Sequence, residues 1–192
     1  YSDGIRGTDA ERVGPMRLVG SGAATPTAVR NAALLSFAIA GLAGSVLVVL
    51  SQAWWLLAVG AAALAAGWFY TGGRRPYGYH GLGELFVFVF FGLVAVGGTV
   101  IVQVGYATGA TWAAAVAIGA LASAILVANN LRDLKGDAIV GKRTLATRLG
   151  DSGTRLFFAA LLVALLGLTV LPGFTCKRTE ADGASTEVTI PE

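Results

Sequence analysis

The chain has 192 residues, 55% hydrophobic and only 13% charged, where an ordinary soluble domain carries about 25% charged residues. Together with a mean hydropathy of +0.70, this points to an integral membrane protein. The net charge of +3 is then no sign of nucleic-acid binding, because a basic excess in membrane proteins belongs to cytoplasmic loops. A single cysteine, Cys176, excludes an internal disulfide, and a single histidine, His80, argues against a histidine-based metal cluster within the chain.

The chain opens on YSDGIRGTDAERVGPMR, which lacks the apolar core of a signal peptide. It reads as a segment that begins inside a loop. Five apolar runs follow: 32–50, 54–70, 85–106, 112–128 and 156–171, the second rather short. A helix needs about 20 apolar residues to cross the hydrocarbon core, so the expected fold class is all-α, a polytopic transmembrane bundle of about five spans. Pro172 and Gly173 stop the last run. The connections near Ser51–Ala53 and Ala107–Thr111 carry no charge, whereas all the basic residues from Arg6 to Arg155 fall on the N-terminal segment, the second-to-third loop or the fourth-to-fifth loop. Five alternating spans put those three segments on one side, and the positive-inside rule makes it cytoplasmic. Trp54, Trp55 and Trp112 fall at one end of their spans and Trp68 and Tyr70 at the other, as an aromatic belt requires. The division is a helical domain over 1–173 and a polar tail, 174–192, too polar to bury a core and expected either to lack regular structure or to be a non-native continuation.

The fourth-to-fifth loop, NNLRDLKGDAIVGKRTLATRLG, crowds acids and bases behind an uncharged span. Asn129, Asp133 and Asp137 are four apart, so on a helix they share a face. Three oxygen-bearing side chains suit a hard cation such as Mg²⁺, which also takes phosphate oxygens. Lys142, Arg143 and Arg148 would add positive charge for a diphosphate. The alternative is an ordinary solvated loop, with pairs such as Asp133 with Lys135 or Asp137 with Arg132. Asp3 and Asp9, interleaved with Arg6 and Arg12, lie on the same side of the membrane. A second acidic loop is what a metal–diphosphate site would need.

NNLRDLKGDAIVGKRTLATRLG resembles the second Asp-rich motif of the UbiA superfamily of intramembrane prenyltransferases, N-(D/N)-x-x-D-x-x-x-D followed by G-K-R-T. The match falls on Asn129, Asn130, Asp133, Asp137 and Gly141–Thr144, with Asn130 where many members have Asp. YSDGIRGTD resembles the end of the first motif, N-D-x-x-D, with Asp3 as its last acid and Asp9 in the G-T-D that follows. RGTDAERVGPMRLVGSG and the block around YHGLGE, His80 and Glu84 included, are similar to the branch that prenylates 1,4-dihydroxy-2-naphthoate in menaquinone biosynthesis. The resemblance covers about residues 1 to 171.

The resemblance implies a nine-helix bundle around a central cavity, of which this chain would supply the third to seventh helices. It implies Mg²⁺ held by Asp3, Asp133 and Asp137 with help from Asn129 and Asn130. It implies polyprenyl diphosphate, neutralised by Lys142 and Arg143, and 1,4-dihydroxy-2-naphthoate as substrates. The setting would be the lipid bilayer of a bacterial or archaeal cell membrane. Arg6, Asp9, Tyr79, His80 and Glu84 join the candidate substrate-binding residues: Tyr79 and His80 either cap the cavity or anchor at the interface, and Glu84 either faces the cavity or snorkels. Gln103 and the glycines Gly92, Gly97 and Gly98 are expected to serve helix packing. A transporter would carry ionisable residues at mid-span, and these spans lack Asp, Lys and Arg at their centres. The D-G-x-x-A-R pattern of CDP-alcohol phosphotransferases is absent, since Asp3-Gly4 is followed by IRGT.

Overall fold

The computed structural model describes residues 1–7, 15–170, 176–179 and 185–188. Asp9 and Arg12 lie outside the described residues. The order is α1 (Ser2–Ile5), α2 (Pro26–Ser51), α3 (Leu56–Thr71), a 3₁₀ turn (Tyr77–His80), α4 (Gly83–Val87), a π-helical stretch (Phe88–Gly97), α5 (Gly98–Val104), α6 (Gly109–Arg132), α7 (Leu134–Ile139), α8 (Leu145–Val170) and two strands, β1 (Cys176–Thr179) and β2 (Ser185–Val188).

Local chemistry sets the boundaries. Thr25 caps α2, its hydroxyl accepting from the Ala28 N–H at 3.3 Å, and Pro26 takes the first turn, where a missing N–H costs nothing. These two residues start α2 six residues before the apolar run does. Thr108 and Thr111 form a reciprocal capping box at the start of α6. α8 begins eleven residues before the apolar run at Leu156, because its first turns are polar; Gly150 then breaks the helix with φ 71° and ψ −179°, a conformation open essentially to glycine alone.

Among the described residues, four helices are long and apolar enough to cross a membrane: Pro26–Ser51, the continuous α4–α5 rod Gly83–Val104, Gly109–Arg132 and Leu145–Leu168. The fifth expected span, α3, has 16 residues, about 24 Å at 1.5 Å per residue, short of the ~30 Å hydrocarbon core. α2 and α3 turn large apolar side chains outward, with Leu35, Leu42 and Leu50 between 62% and 76% exposed. Such a surface suits lipid, not water. The protein is an integral membrane protein.

The core lies along α6, which packs on the π-helical stretch and on α8. It buries small residues, among them Ala115, Ala117, Ala120 and Ala124. A Cβ on Gly92 would lie 2.6 Å from the Ala115 carbonyl and from the Gly119 Cα, and one on Gly97 would lie 2.8 Å from the Trp112 ring. Small residues thus let two backbones touch, as expected of packed membrane helices. Gly98 departs from that expectation, having nothing within 4 Å of a built Cβ. So does Gln103, which is exposed. In the polar tail, read from composition as unstructured, β1 and β2 pair antiparallel with Cys176 opposite Val188.

Candidate active site

The start of α2, the end of α3, the end of α6 and the approach to α8 come together at one side of the bundle. A cleft of about 480 Å³ opens there, lined by Asp3, Arg17, Tyr70, Tyr79, Asn129, Asn130, Lys142 and Thr144 among others. The N-terminal segment is held close by α1, where the Gly4 Cα comes so near Val19 that a Cβ would lie 2.4 Å from its side chain.

Tyr79 sits at the junction of three segments. Its hydroxyl donates to Asp3 Oδ1 at 2.8 Å. Its ring meets the Arg6 guanidinium at 5.4 Å and the Lys142 ammonium at 5.2 Å. Its carbonyl accepts from the Arg143 N–H at 3.1 Å, which ties the YHGLGE loop to GKRT. Arg6 also donates to the Thr71 and Gly73 carbonyls at the end of α3.

α6 closes on Asn129–Arg132, and Asp133 joins it to α7. Backbone hydrogen bonds of helical type still run from the Asp133 N–H to Asn129 and from the Asp137 N–H to Asp133, so the four-residue spacing carries across the joint. Asp133 and Asp137 are both 7% exposed. Asp133 is held by both nitrogens of the Arg132 fork, at 2.9 and 3.1 Å. Asp137 pairs with Lys142 at 3.7 Å. These pairs replace the ones read from spacing, Asp133 with Lys135 and Asp137 with Arg132. The reason is that the fork of Arg132 reaches its immediate neighbour, while the turn at Gly141, with φ 73°, folds Lys142 back over α7.

Among the described residues lining the cleft, Asp3 is the only carboxylate, and no three described His, Cys, Asp or Glu side chains stand close enough together to hold a metal ion. Asp137 reaches the cleft through Lys142, which is both its partner and a wall of the cleft, whereas Asp133 is turned to Arg132, outside the cleft lining. Arg143 is exposed, and His80, also exposed, is held by its Nδ1 at 2.9 Å from the Pro76 carbonyl; neither lines the cleft. Glu84 is buried at 5% exposure and contacts Asn130. Sequence reasoning missed Arg17, Thr144 and Tyr70 as cleft residues. Thr144 carries a signal, as the last residue of GKRT, whereas the sequence marks Tyr70 only as an interfacial aromatic. A second, apolar cleft of about 610 Å³ runs between α3 and the π-helical stretch, and Tyr70 borders both.

The fold and cleft define a polytopic helical membrane protein with a polar, cationic recess where its spans end. The sequence model of the UbiA prenyltransferase family matches residues 1–178, and the chain belongs to that family. The match runs into β1, past residue 171. The chain is 57% identical over 169 residues to the 1,4-dihydroxy-2-naphthoate octaprenyltransferase of Mycobacterium tuberculosis, covering 88% of this chain and 58% of that protein. Proteins of the same name from Haemophilus influenzae and Escherichia coli are 40% and 37% identical, covering 84% and 86% of this chain and 54% and 56% of their own lengths. The chain therefore spans little more than half the length of these curated relatives. No solved structure matches it.

Proposed function

We propose that the full-length protein transfers a polyprenyl group from polyprenyl diphosphate to 1,4-dihydroxy-2-naphthoate, releasing diphosphate and CO₂, as a step of menaquinone biosynthesis. The observation that carries this reading is the single cleft that gathers Asp3, Asn129, Asn130 and Lys142 from both motifs beside apolar spans. The names and identities of the relatives support the same acceptor.

Mg²⁺ favours one or two carboxylates, with substrate phosphates filling its other positions. The Asp3 carboxylate and the Asn129 and Asn130 amide oxygens at the cleft fit that demand and would hold the ion together with the diphosphate oxygens, so that it would neutralise charge on the leaving group. Asp133 and Asp137 stand behind the cleft wall, paired with Arg132 and Lys142, and their part as ligands is the one the motif implies. Lys142 and Arg17 face the same space and offset the remaining negative charge. Tyr79 fixes Asp3 and stacks against Arg6 and Lys142, so that the acid and the cations are placed before substrate arrives. With the diphosphate so held, the allylic C–O bond breaks and its electron pair leaves with the diphosphate. An electron pair of the dihydroxynaphthoate ring forms the new C–C bond to the allylic carbon. The pair from the ring–carboxylate bond then restores the ring as CO₂ departs. Apolar side chains exclude water from the cation. By the positive-inside rule the cleft faces the cytoplasm, where the diphosphate is soluble, while the isoprenoid stays in lipid.

The test is the full-length protein in membranes, supplied with Mg²⁺, a polyprenyl diphosphate and 1,4-dihydroxy-2-naphthoate, with the prenylated naphthoquinol as readout. Asp133→Ala and Asp137→Ala should each cut turnover by about 10²-fold or more with normal membrane insertion. Prenylation of 4-hydroxybenzoate in place of the naphthoate would sink the acceptor assignment. Near-normal turnover of both variants would return those acids to plain ion pairing.

A further inference from the structure

Glu84 is a carboxylate 5% exposed, at the start of a membrane-spanning rod, and it does not line the cleft. A charge in such a place is costly unless it has a task. Its Oε1 accepts from Asn130 Nδ2 at 2.8 Å, and the Ser123 hydroxyl donates to its backbone carbonyl at 3.1 Å. Asn130 does line the cleft. A side-chain amide has one donor end and one acceptor end, and a carboxylate accepts only. Glu84 therefore fixes which way the Asn130 amide is turned. With Nδ2 bound to Glu84, the carbonyl Oδ1 is the end left for the cleft. Among the described residues nothing donates a hydrogen bond to it.

We infer that Glu84 is a positioning residue that locks Asn130 with its amide oxygen toward the cleft, as a neutral oxygen ligand for the divalent cation. The inference rests on the metal–diphosphate reading above. It explains why an amide can stand in a motif position that other members fill with an acid. A carboxylate there would meet Glu84 as a like charge in hydrogen-bond contact, and two such carboxylates cannot both ionise readily. Glu84 and Asn130 thus form a matched pair, and a carboxylate at one position calls for an amide at the other.

The experiment uses the full-length protein in detergent, with Mn²⁺ as probe, binding read by electron paramagnetic resonance in the presence of inorganic pyrophosphate, and Tm measured in parallel without metal. Glu84→Leu should weaken Mn²⁺ binding by about tenfold or more, the usual effect of removing a residue that orients a ligand. Glu84→Gln keeps an acceptor oxygen and should restore most of that affinity. Asn130→Asp alone should lower Tm. Adding Glu84→Gln to Asn130→Asp should recover Tm and bind Mn²⁺ at least as tightly as the unmodified protein, since an amide again faces a carboxylate. The inference is overturned if Glu84→Leu binds Mn²⁺ normally, if Glu84→Gln fails to rescue, if the double variant is only the sum of the two singles, or if the unmodified protein binds no Mn²⁺. An intact Glu84 dependence of Mn²⁺ binding, with no prenylation of the naphthoate, would sink the functional reading and leave this one standing.

Discussion

Tyr79 is where the two motif loops meet, and removing its parts one at a time separates their contributions. Tyr79→Phe deletes only the hydroxyl that donates to Asp3 at 2.8 Å. A hydrogen bond to a charged group contributes about 1.5–3 kcal/mol. Asp3 is only half-buried, so the lower end applies, and about 1.5 kcal/mol corresponds to about tenfold. The ring remains between Arg6 and Lys142. Tyr79→Leu removes those contacts too, at 5.4 and 5.2 Å, each worth about 0.5–1 kcal/mol at an exposed site. The sum is about 2.5–3.5 kcal/mol, or about 100-fold and above. The assay is kcat/KM for polyprenyl diphosphate with the full-length protein in membranes at saturating acceptor, with Tm as a control for folding. A graded loss from Phe to Leu is the expected result. Equal activity of Tyr79→Phe and the unmodified protein, or equal loss in both variants, would refute the view that Asp3 is oriented by the hydroxyl and the cations by the ring.

Three glycine substitutions test the packing and the backbone. Gly92→Ala drives a Cβ into backbone atoms of α6 at 2.6 Å and should lower stability by about 1–3 kcal/mol, the usual cost of overpacking, in a detergent unfolding titration; Gly98→Ala, in open space, should be neutral or slightly stabilising. Gly150→Ala places a side chain at φ 71° and ψ −179° and should cost about 1–3 kcal/mol in the same titration, loosening the join between GKRT and the α8 span.

The sequence told most about the spans and least about their ends. Apolar runs located each long helix, because lipid contact demands unbroken hydrophobic composition. They could not show that α8 starts at Leu145, since its first turns serve the loop side and are polar. The caps at Thr25 and Thr108 were legible from residue type but carry no hydrophobic signal. At the site, motif order brought out Asp3, Asn129, Asn130 and Lys142, all of which meet at the cleft. It did not reveal the ion partners of Asp133 and Asp137, because these depend on the turn at Gly141 and on side-chain reach. Nor did it reveal the hydrogen bond from Asn130 to Glu84, which joins residues 46 apart in the chain.

The π-helical stretch Phe88–Gly97 has a consequence for residue counting. Gly92 and Gly97 both press against α6, yet they are five apart. In an α-helix five residues turn about 500°, leaving the two about 140° out of line. The wider turn, with its i→i+5 hydrogen bonds, brings them onto one side. Deleting a single residue between them would let the helix tighten, and everything beyond would rotate by about 100°. Gly97 would swing away from Trp112, and the end of the rod would present a different stripe to the lipid. The length of this segment, and not only its composition, is therefore part of what specifies the bundle. A sequence alignment that closes a one-residue gap here would equate residues facing different neighbours.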